Sequence, residues 1–285
     1  MTIIETPQQF GSDGHLVGVF TEPGAAPGRP ELAFLLYNAG VIPRQGPHRL
    51  NVRLARALAA EGQSTLRLDL GGHGDSGRAR SDDGDLDDPA VADLKAAMDH
   101  LQATRGVRRF AVIGICSGAV AAYRLSLADE RVVGVMMFDG FWYRTRWSRL
   151  VRHWKRLREK SPREALRAAG NKLGKLLGLR PWTDGPTSDL FGAGNGPSRD
   201  EFSWAMQTLA QRRTAVFVVY SGSILDYYSY GAQFRHAFAG APWLDQVKCQ
   251  FRPDIDHSFV SLATQSRMGE LVLGWVPEVQ QAART

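Results

Sequence analysis

Four continuous apolar runs, Leu32–Tyr37, Phe110–Ile115, Val132–Phe138 and Ala215–Tyr220, alternate with segments of helical periodicity, and this alternation limits the chain more than anything else in it. Runs of this kind are buried on both faces, which happens when parallel strands are covered by helices on each side. Between them lie a helical pattern through Leu50, Val52, Leu54, Leu58 and Ala59 closed by Gly62, a helix over about Pro89 to Ala103, and another over Ala119–Ala128. Further strands are expected at Val17–Phe20, Ser64–Leu70 and Val247–Phe251, with helices near Tyr230 to Ala239 and from about Phe259 to Leu273. The expected fold class is α/β, a mostly parallel central sheet flanked by helices, with reactive groups beyond the carboxyl ends of the strands.

The rhythm breaks once. From Phe141 to about Arg213 the pattern is helical only, including Pro162–Leu177 and Glu201–Gln211, with a Gly/Pro/Ser-rich link from Thr183 to Ser198. Residues 1–140 and 214–285 therefore read as the core, and 141–213 as a helical cap inserted into it. The cap is also where the charge sits. The chain carries +6 overall, yet residues 141–180 hold thirteen Lys/Arg against two Glu, a local +11 that leaves the remainder at −5. Trp147, Leu150, Val151, Trp154 and Leu157 place an apolar stripe on one helix face, with basic residues behind it. A solvated helix packed over the core accounts for that pattern. A lid attracting an anionic substrate through Arg152, Lys155 and Arg156 is the functional alternative, and contact with a membrane surface is the lesser one. Nucleic-acid binding is not expected, because none of the recognised modules accompanies the basic stretch.

No run of eighteen apolar residues is present, and the first residues lack the basic and apolar regions of a secretory signal, so the default compartment is the cytoplasm. In that compartment Cys116 and Cys249 read as core or catalytic thiols rather than as a disulfide.

Cys116 occupies the more informative position. The strand Phe110-Ala111-Val112-Ile113 runs through Gly114-Ile115-Cys116-Ser117-Gly118 straight into a helix, the strand–turn–helix setting of a nucleophile elbow. With Cys116 at the centre, Gly114 and Gly118 each fall two residues away; with Ser117 there, the flanks are Ile115 and Ala119. The register selects Cys116. A thiol at the first turn of a helix, near an imidazole, has its pKa lowered and its thiolate fraction raised. The plain structural alternative is a small cysteine packed beside a glycine turn.

His257, in the loop Asp254-Ile255-Asp256-His257-Ser258 between the last strand and the last helix, is the expected base, with His48 as its rival. An imidazole base needs a carboxylate to set its tautomer and stabilise its cation. Asp226, the only acid between Arg213 and Leu244, is the expected partner; Asp139, just past the strand ending at Phe138, is the alternative. The expected oxyanion donors are the backbone N–H groups of Ser117 and Gly40. No metal cluster is evident, and Gly71-Gly72-His73-Gly74 lacks the spacing and the ribose-binding acid of a dinucleotide fingerprint, so no cofactor is expected.

Together, Asn38-Ala39-Gly40 through Gly46-Pro47-His48-Arg49, Leu68-Asp69-Leu70-Gly71-Gly72-His73-Gly74-Asp75-Ser76, Gly114-Ile115-Cys116-Ser117-Gly118-Ala119 and Asp256-His257-Ser258-Phe259 resemble the α/β-hydrolase fold. The resemblance is to capped, serine-aminopeptidase-like hydrolases, and most closely to those associated with exosortase systems. It implies a Cys116–His257–Asp226 triad and acyl-transfer chemistry. Two departures are visible: Cys stands at the elbow where Ser is commonest, as in dienelactone hydrolases, and Asn38-Ala39 stands where many members carry His-Gly.

A cysteine acyl-enzyme is itself a thioester, so activated esters, thioesters and strained lactones are the expected substrates, as small molecules or carrier-bound acyl groups. An acyltransferase drawing on a coenzyme A or carrier-protein thioester is the second expectation, since thioesters favour amine over water when the cap excludes solvent. A third is a binding protein on the same fold without turnover, whose function would survive loss of Cys116.

Overall fold

A computed structural model describes all residues except 1, 25–29, 38, 79–87, 149–150 and 152–195. Eight strands form one sheet in the order β1-β2-β4-β3-β5-β6-β7-β8. They are β1 (Ile3–Phe10), β2 (Leu16–Pro23), β3 (Leu32–Tyr37), β4 (Ser64–Leu68), β5 (Arg109–Ile115), β6 (Val132–Phe138), β7 (Ala215–Ser221) and β8 (Val247–Arg252). From β4 to β8 every pairing is parallel; β2 runs antiparallel to both β1 and β4. This is the α/β-hydrolase fold. The apolar runs fall at its centre, as their uniform hydrophobicity requires, and β6 is buried at every position. Strand β1 was not anticipated. Its half-exposed, alternating pattern belongs to an edge strand, the one place in a sheet where Pro7 is tolerated.

Helices cover both faces. On one side α2 (Pro89–Arg105), α3 (Gly118–Ala128), α4 (Arg199–Gln211) and the short α5 (Gln233–Ala237) pack over a cluster that includes Leu35, Phe110, Val112, Met137 and Val218. On the other, α1 (Leu50–Ala60), α6 (Leu262–Leu273) and α7 (Val276–Ala283) close over Phe34, Ile113, Met136, Phe217 and Trp275. Strand side chains alternate between the two clusters, as a period of two demands.

One expectation is corrected here. Residues 199–211, placed in the cap from sequence, form α4, which buries Phe202, Ala205, Met206 and Leu209 in the main core. Its Ser198–Glu201 capping box marks a well-started helix of the flanking layer. Most of the remaining cap, including Arg152, Lys155 and Arg156, lies outside the described residues. Among the described residues no helix is long and apolar enough to cross a membrane.

The loops after β3 and β4 are fastened by Asp69. Its carboxylate is completely buried, accepts from the backbone N–H of Arg44 at 2.5 Å and of Asp75 at 3.1 Å, and pairs with the Arg44 guanidinium. That guanidinium also reaches Asp75 at 2.7 Å. A Cβ at Gly74 would collide with the Asp69 carboxylate, so this turn, with its positive φ, accepts only glycine. Removing one partner of a buried pair strands the other without solvent. Asp69→Ala should therefore lower the unfolding free energy by about 3 kcal/mol, read as a drop in the urea midpoint at unchanged slope.

Candidate active site

Strand β5 ends in a sharp turn at Cys116, whose φ of 56° is rare for a residue with a side chain. The turn is possible because of its neighbours: a Cβ on Gly114 would stand 2.4 Å from the Gly118 carbonyl oxygen. Helix α3 can then begin at Gly118, directly behind the thiol. Strand β6 ends in the same way, with Asp139 at φ 51° and Gly140 pressed against Ala119. Each turn is held to the adjacent strand, Cys116 N–H to the Phe138 carbonyl and Asp139 N–H to the Val219 carbonyl, both at 2.9 Å.

The structure joins Cys116, His257 and Asp139. His257 Nδ1 lies 2.8 Å from Asp139 Oδ2, and the ring stands near enough to the Cys116 thiol to lower its pKa. With Nδ1 engaged by the carboxylate, Nε2 is the nitrogen left for sulfur. The His257 main-chain N–H donates to Ser223 Oγ at 2.8 Å, and Phe138 packs beneath both His257 and Phe259.

Asp139, not Asp226, is thus the carboxylate that meets the imidazole. Asp226 lies five residues beyond the end of β7, after a single 3-10 turn, and its side chain is exposed. Asp139 is buried and fully engaged: besides His257, it accepts from Ser221 N–H at 2.8 Å and Ser221 Oγ–H at 2.6 Å. The order of strands explains the difference. Since β6 lies between β5 and β7, its end stands beside the thiol, and the loop from β8 reaches back over β7 to meet it. The signal in the sequence was Asp139-Gly140 directly after a buried strand, because Asp tolerates the left-handed turn better than most residues. Ser221 and Ser223 were not anticipated; their place at and just past the end of β7 was the only hint of them.

Other expected residues fall as follows. His48 is exposed on a one-turn helix and its side chain makes no hydrogen bond or ion pair among the described residues. Gly40 and Ser117 do meet, but through a side chain: Gly40 N–H donates to Ser117 Oγ at 2.8 Å. The Ser117 N–H lies beside the Cys116 sulfur and helps to lower the thiol's pKa.

Electrostatics divides the two thiols. The hydrogen bond from His257 holds Cys116 below the usual thiol value despite partial burial. Burial pushes Cys249 up to about 12, where it is an inert part of β8. For His257, burial disfavours the cation, but the bonds to Asp139 and Cys116 outweigh it and raise the ring to about 9. A depressed thiol beside a raised imidazole makes a thiolate–imidazolium pair, a nucleophile and a proton donor in one arrangement.

A family model described as serine aminopeptidase, S33, matches residues 49–176. Among solved structures, an esterase from Pyrococcus furiosus superposes with a TM-score of 0.55 at 16% identity, covering 96% of this chain and 91% of that one. A dienelactone hydrolase from Anabaena variabilis gives 0.51 at 16% identity, with 95% and 96% covered. The thioesterase domain from the curacin biosynthetic pathway gives 0.51 at 15% identity, with 96% and 100% covered. No curated protein sequence shows a significant match. At these identities the likeness is one of fold.

The two candidate acids separate in an NMR titration of His257. In the unaltered protein the imidazole should titrate near pH 9; in Asp139→Asn it should fall by at least one unit, because the charge favouring the cation is gone, while Asp226→Asn leaves it in place. A midpoint that moves with Asp226 and not with Asp139 would overturn the geometric assignment.

Proposed function

We propose that this protein is a hydrolase that forms a covalent acyl-enzyme on Cys116, with His257 as acid and base and Asp139 as its orienting carboxylate. The observation carrying this reading is the 2.8 Å contact of Asp139 with His257 Nδ1, together with an imidazole on the Cys116 side that depresses the thiol and is itself raised. The substrate class is an activated acyl group, a thioester foremost, since exchange of one thioester for another is nearly isoenergetic while attack on an amide is uphill. Exposed Val41, Leu225 and Val260 lie within three residues of Gly40, Ser223 and His257 in the chain and suit an acyl group better than a charged one.

The steps follow from the geometry. The Cys116 thiolate attacks the acyl carbonyl carbon, and its oxygen becomes an oxyanion. Collapse expels the leaving thiolate or alkoxide, which takes the proton from His257 Nε2. A water then gives its proton to the neutral imidazole and attacks the acyl-enzyme, and the sulfur leaves as the thiolate beside the regenerated imidazolium.

The oxyanion receives the Ser117 N–H. As second donor we assign the Ser117 hydroxyl: it accepts from Gly40 N–H and so keeps its own proton to give, placing Gly40 behind the contact rather than in it.

Intact-mass measurement after exposure to an acyl thioester should show one acyl adduct on the unaltered protein and none on Cys116→Ala. Absence of an adduct with every activated donor tried would sink the covalent reading. Ser117→Ala should lower kcat by about a hundredfold with little change in KM, the usual cost of one oxyanion donor. If that variant is as fast as the parent or faster, Gly40 itself is the donor and the hydroxyl merely blocks it. The kcat/KM profile should decline above about pH 9 as His257 loses its proton, and Asp139→Asn should move that decline to lower pH.

A further inference from the structure

Beyond the end of β6, on the edge of the sheet that carries Cys116, lies a cavity of about 510 Å³ lined by Arg144, Thr145, Arg146, Trp147, Arg199 and His236. Its walls come from three separate pieces of chain: the segment five to eight residues after Asp139, the first residue of α4, and α5. They are held together by hydrogen bonds. The Arg199 guanidinium donates to the Arg144 carbonyl at 2.9 Å, and Gln233 donates to the Tyr143 carbonyl at 3.0 Å. Thr145 Oγ1 and the Tyr230 hydroxyl are 2.7 Å apart, and that hydroxyl lies 3.1 Å from His236 Nδ1.

The charge in this cavity is one-sided. Among the described residues no carboxylate pairs with Arg144, Arg146 or Arg199, whereas Arg131, Arg212, Arg235 and Arg252 each hold one. Of the two acids that follow Arg199, Glu201 is committed to the capping box of α4 and Asp200 makes no ion pair with these arginines, while Asp245 is paired with Arg235. Guanidinium groups gathered around a concave surface without counter-charges raise its potential, and their planar forks match phosphate oxygens. Aromatic rings adjoin these arginines: Trp142 and Tyr227, from the loops after β6 and β7, pack with ring centroids 4.7 Å apart, and Arg144 lies over Tyr227 at 5.8 Å. Trp147 leaves an exposed indole face at the rim.

We propose that this cavity binds the phosphate groups of the acyl donor, so that the substrate of the Cys116 site is a thioester of a phosphorylated thiol. The inference rests on the reading of Cys116 as an acyl-accepting thiol for the identity of the ligand, but the cavity and its charge stand apart from that chemistry. Two donors share the recognised group: a nucleotide thioester, with several phosphates and a base for Trp147, and a phosphopantetheine thioester on a carrier, with one phosphate.

Calorimetric titration with 3′,5′-adenosine bisphosphate and with 4′-phosphopantetheine distinguishes them, using Cys116→Ala protein and no turnover. At least one probe should bind, and Arg144→Gln combined with Arg199→Gln should weaken it by about tenfold or more, while Arg235→Gln, whose guanidinium is already paired, should not. Dependence on these arginines for the bisphosphate alone assigns a nucleotide donor; dependence for phosphopantetheine assigns a carrier-borne one. If neither probe binds, or if the double variant binds as well as the parent while retaining its circular dichroism and unfolding midpoint, the proposal is overturned. Should the double variant not fold, Arg146→Gln, on the exposed segment, carries the same expectation. Arginine-dependent binding without any Cys116 adduct would fell the acyl-enzyme reading and leave the site standing; an adduct without phosphate affinity would do the reverse.

Discussion

The carboxylate of Asp139 is buried and takes hydrogen bonds from the backbone and hydroxyl of Ser221 and from the ring of His257. These contacts tie the end of β6 to the end of β7 and to the loop that follows β8. A carboxylate taken out of water costs several kcal/mol unless its oxygens are satisfied, so the three loops are held in register by a shared electrostatic requirement. Fastening continues outward: Ser223 fixes the His257 backbone, and the Gly222 N–H bonds the Ile255 carbonyl where any side chain would strike Pro253.

The same carboxylate gives two similar cysteines different chemistry. Cys116 directly follows β5, Cys249 lies within β8, and both are free thiols. Among the described residues only Cys116 has an imidazole within reach, and a buried anion stands behind that imidazole. The raised His257 and the lowered Cys116 are therefore two expressions of one arrangement. Backbone strain contributes to it: positive φ at Cys116 and Asp139, each costing about 1 kcal/mol or more, turns both side chains off the ends of adjacent strands. That the strain falls on the two residues of the proposed mechanism agrees with the general tendency of functional sites to hold it.

The fold was legible because its determinants are local. Burial on both faces writes itself as continuous apolar runs, and β6, expected at Val132–Phe138, occupies those residues. The elbow was legible because Gly114 and Gly118 bracket Cys116 at a spacing that only a tight turn demands. Helix α4 was misplaced because an amphipathic stripe looks the same whether it faces a cap or the core. What separates the two is the partner surface, here Tyr123 and Trp243 around Phe202, which lie far away in sequence.

The sequence by itself determined the buried central strands, the turn that carries the thiol, and the identity of the histidine, since each depends on spacing within a few residues. Only the tertiary structure decided which acid serves that histidine, because the choice between Asp139 and Asp226 follows from the order in which strands lie side by side. It likewise decided that the Gly40 N–H meets the Ser117 hydroxyl, and that Arg144, Arg146 and Arg199 share one cavity with no paired carboxylate among the described residues. Such proximities arise when sheet formation brings distant loops to one edge, and no local pattern records which loops those will be.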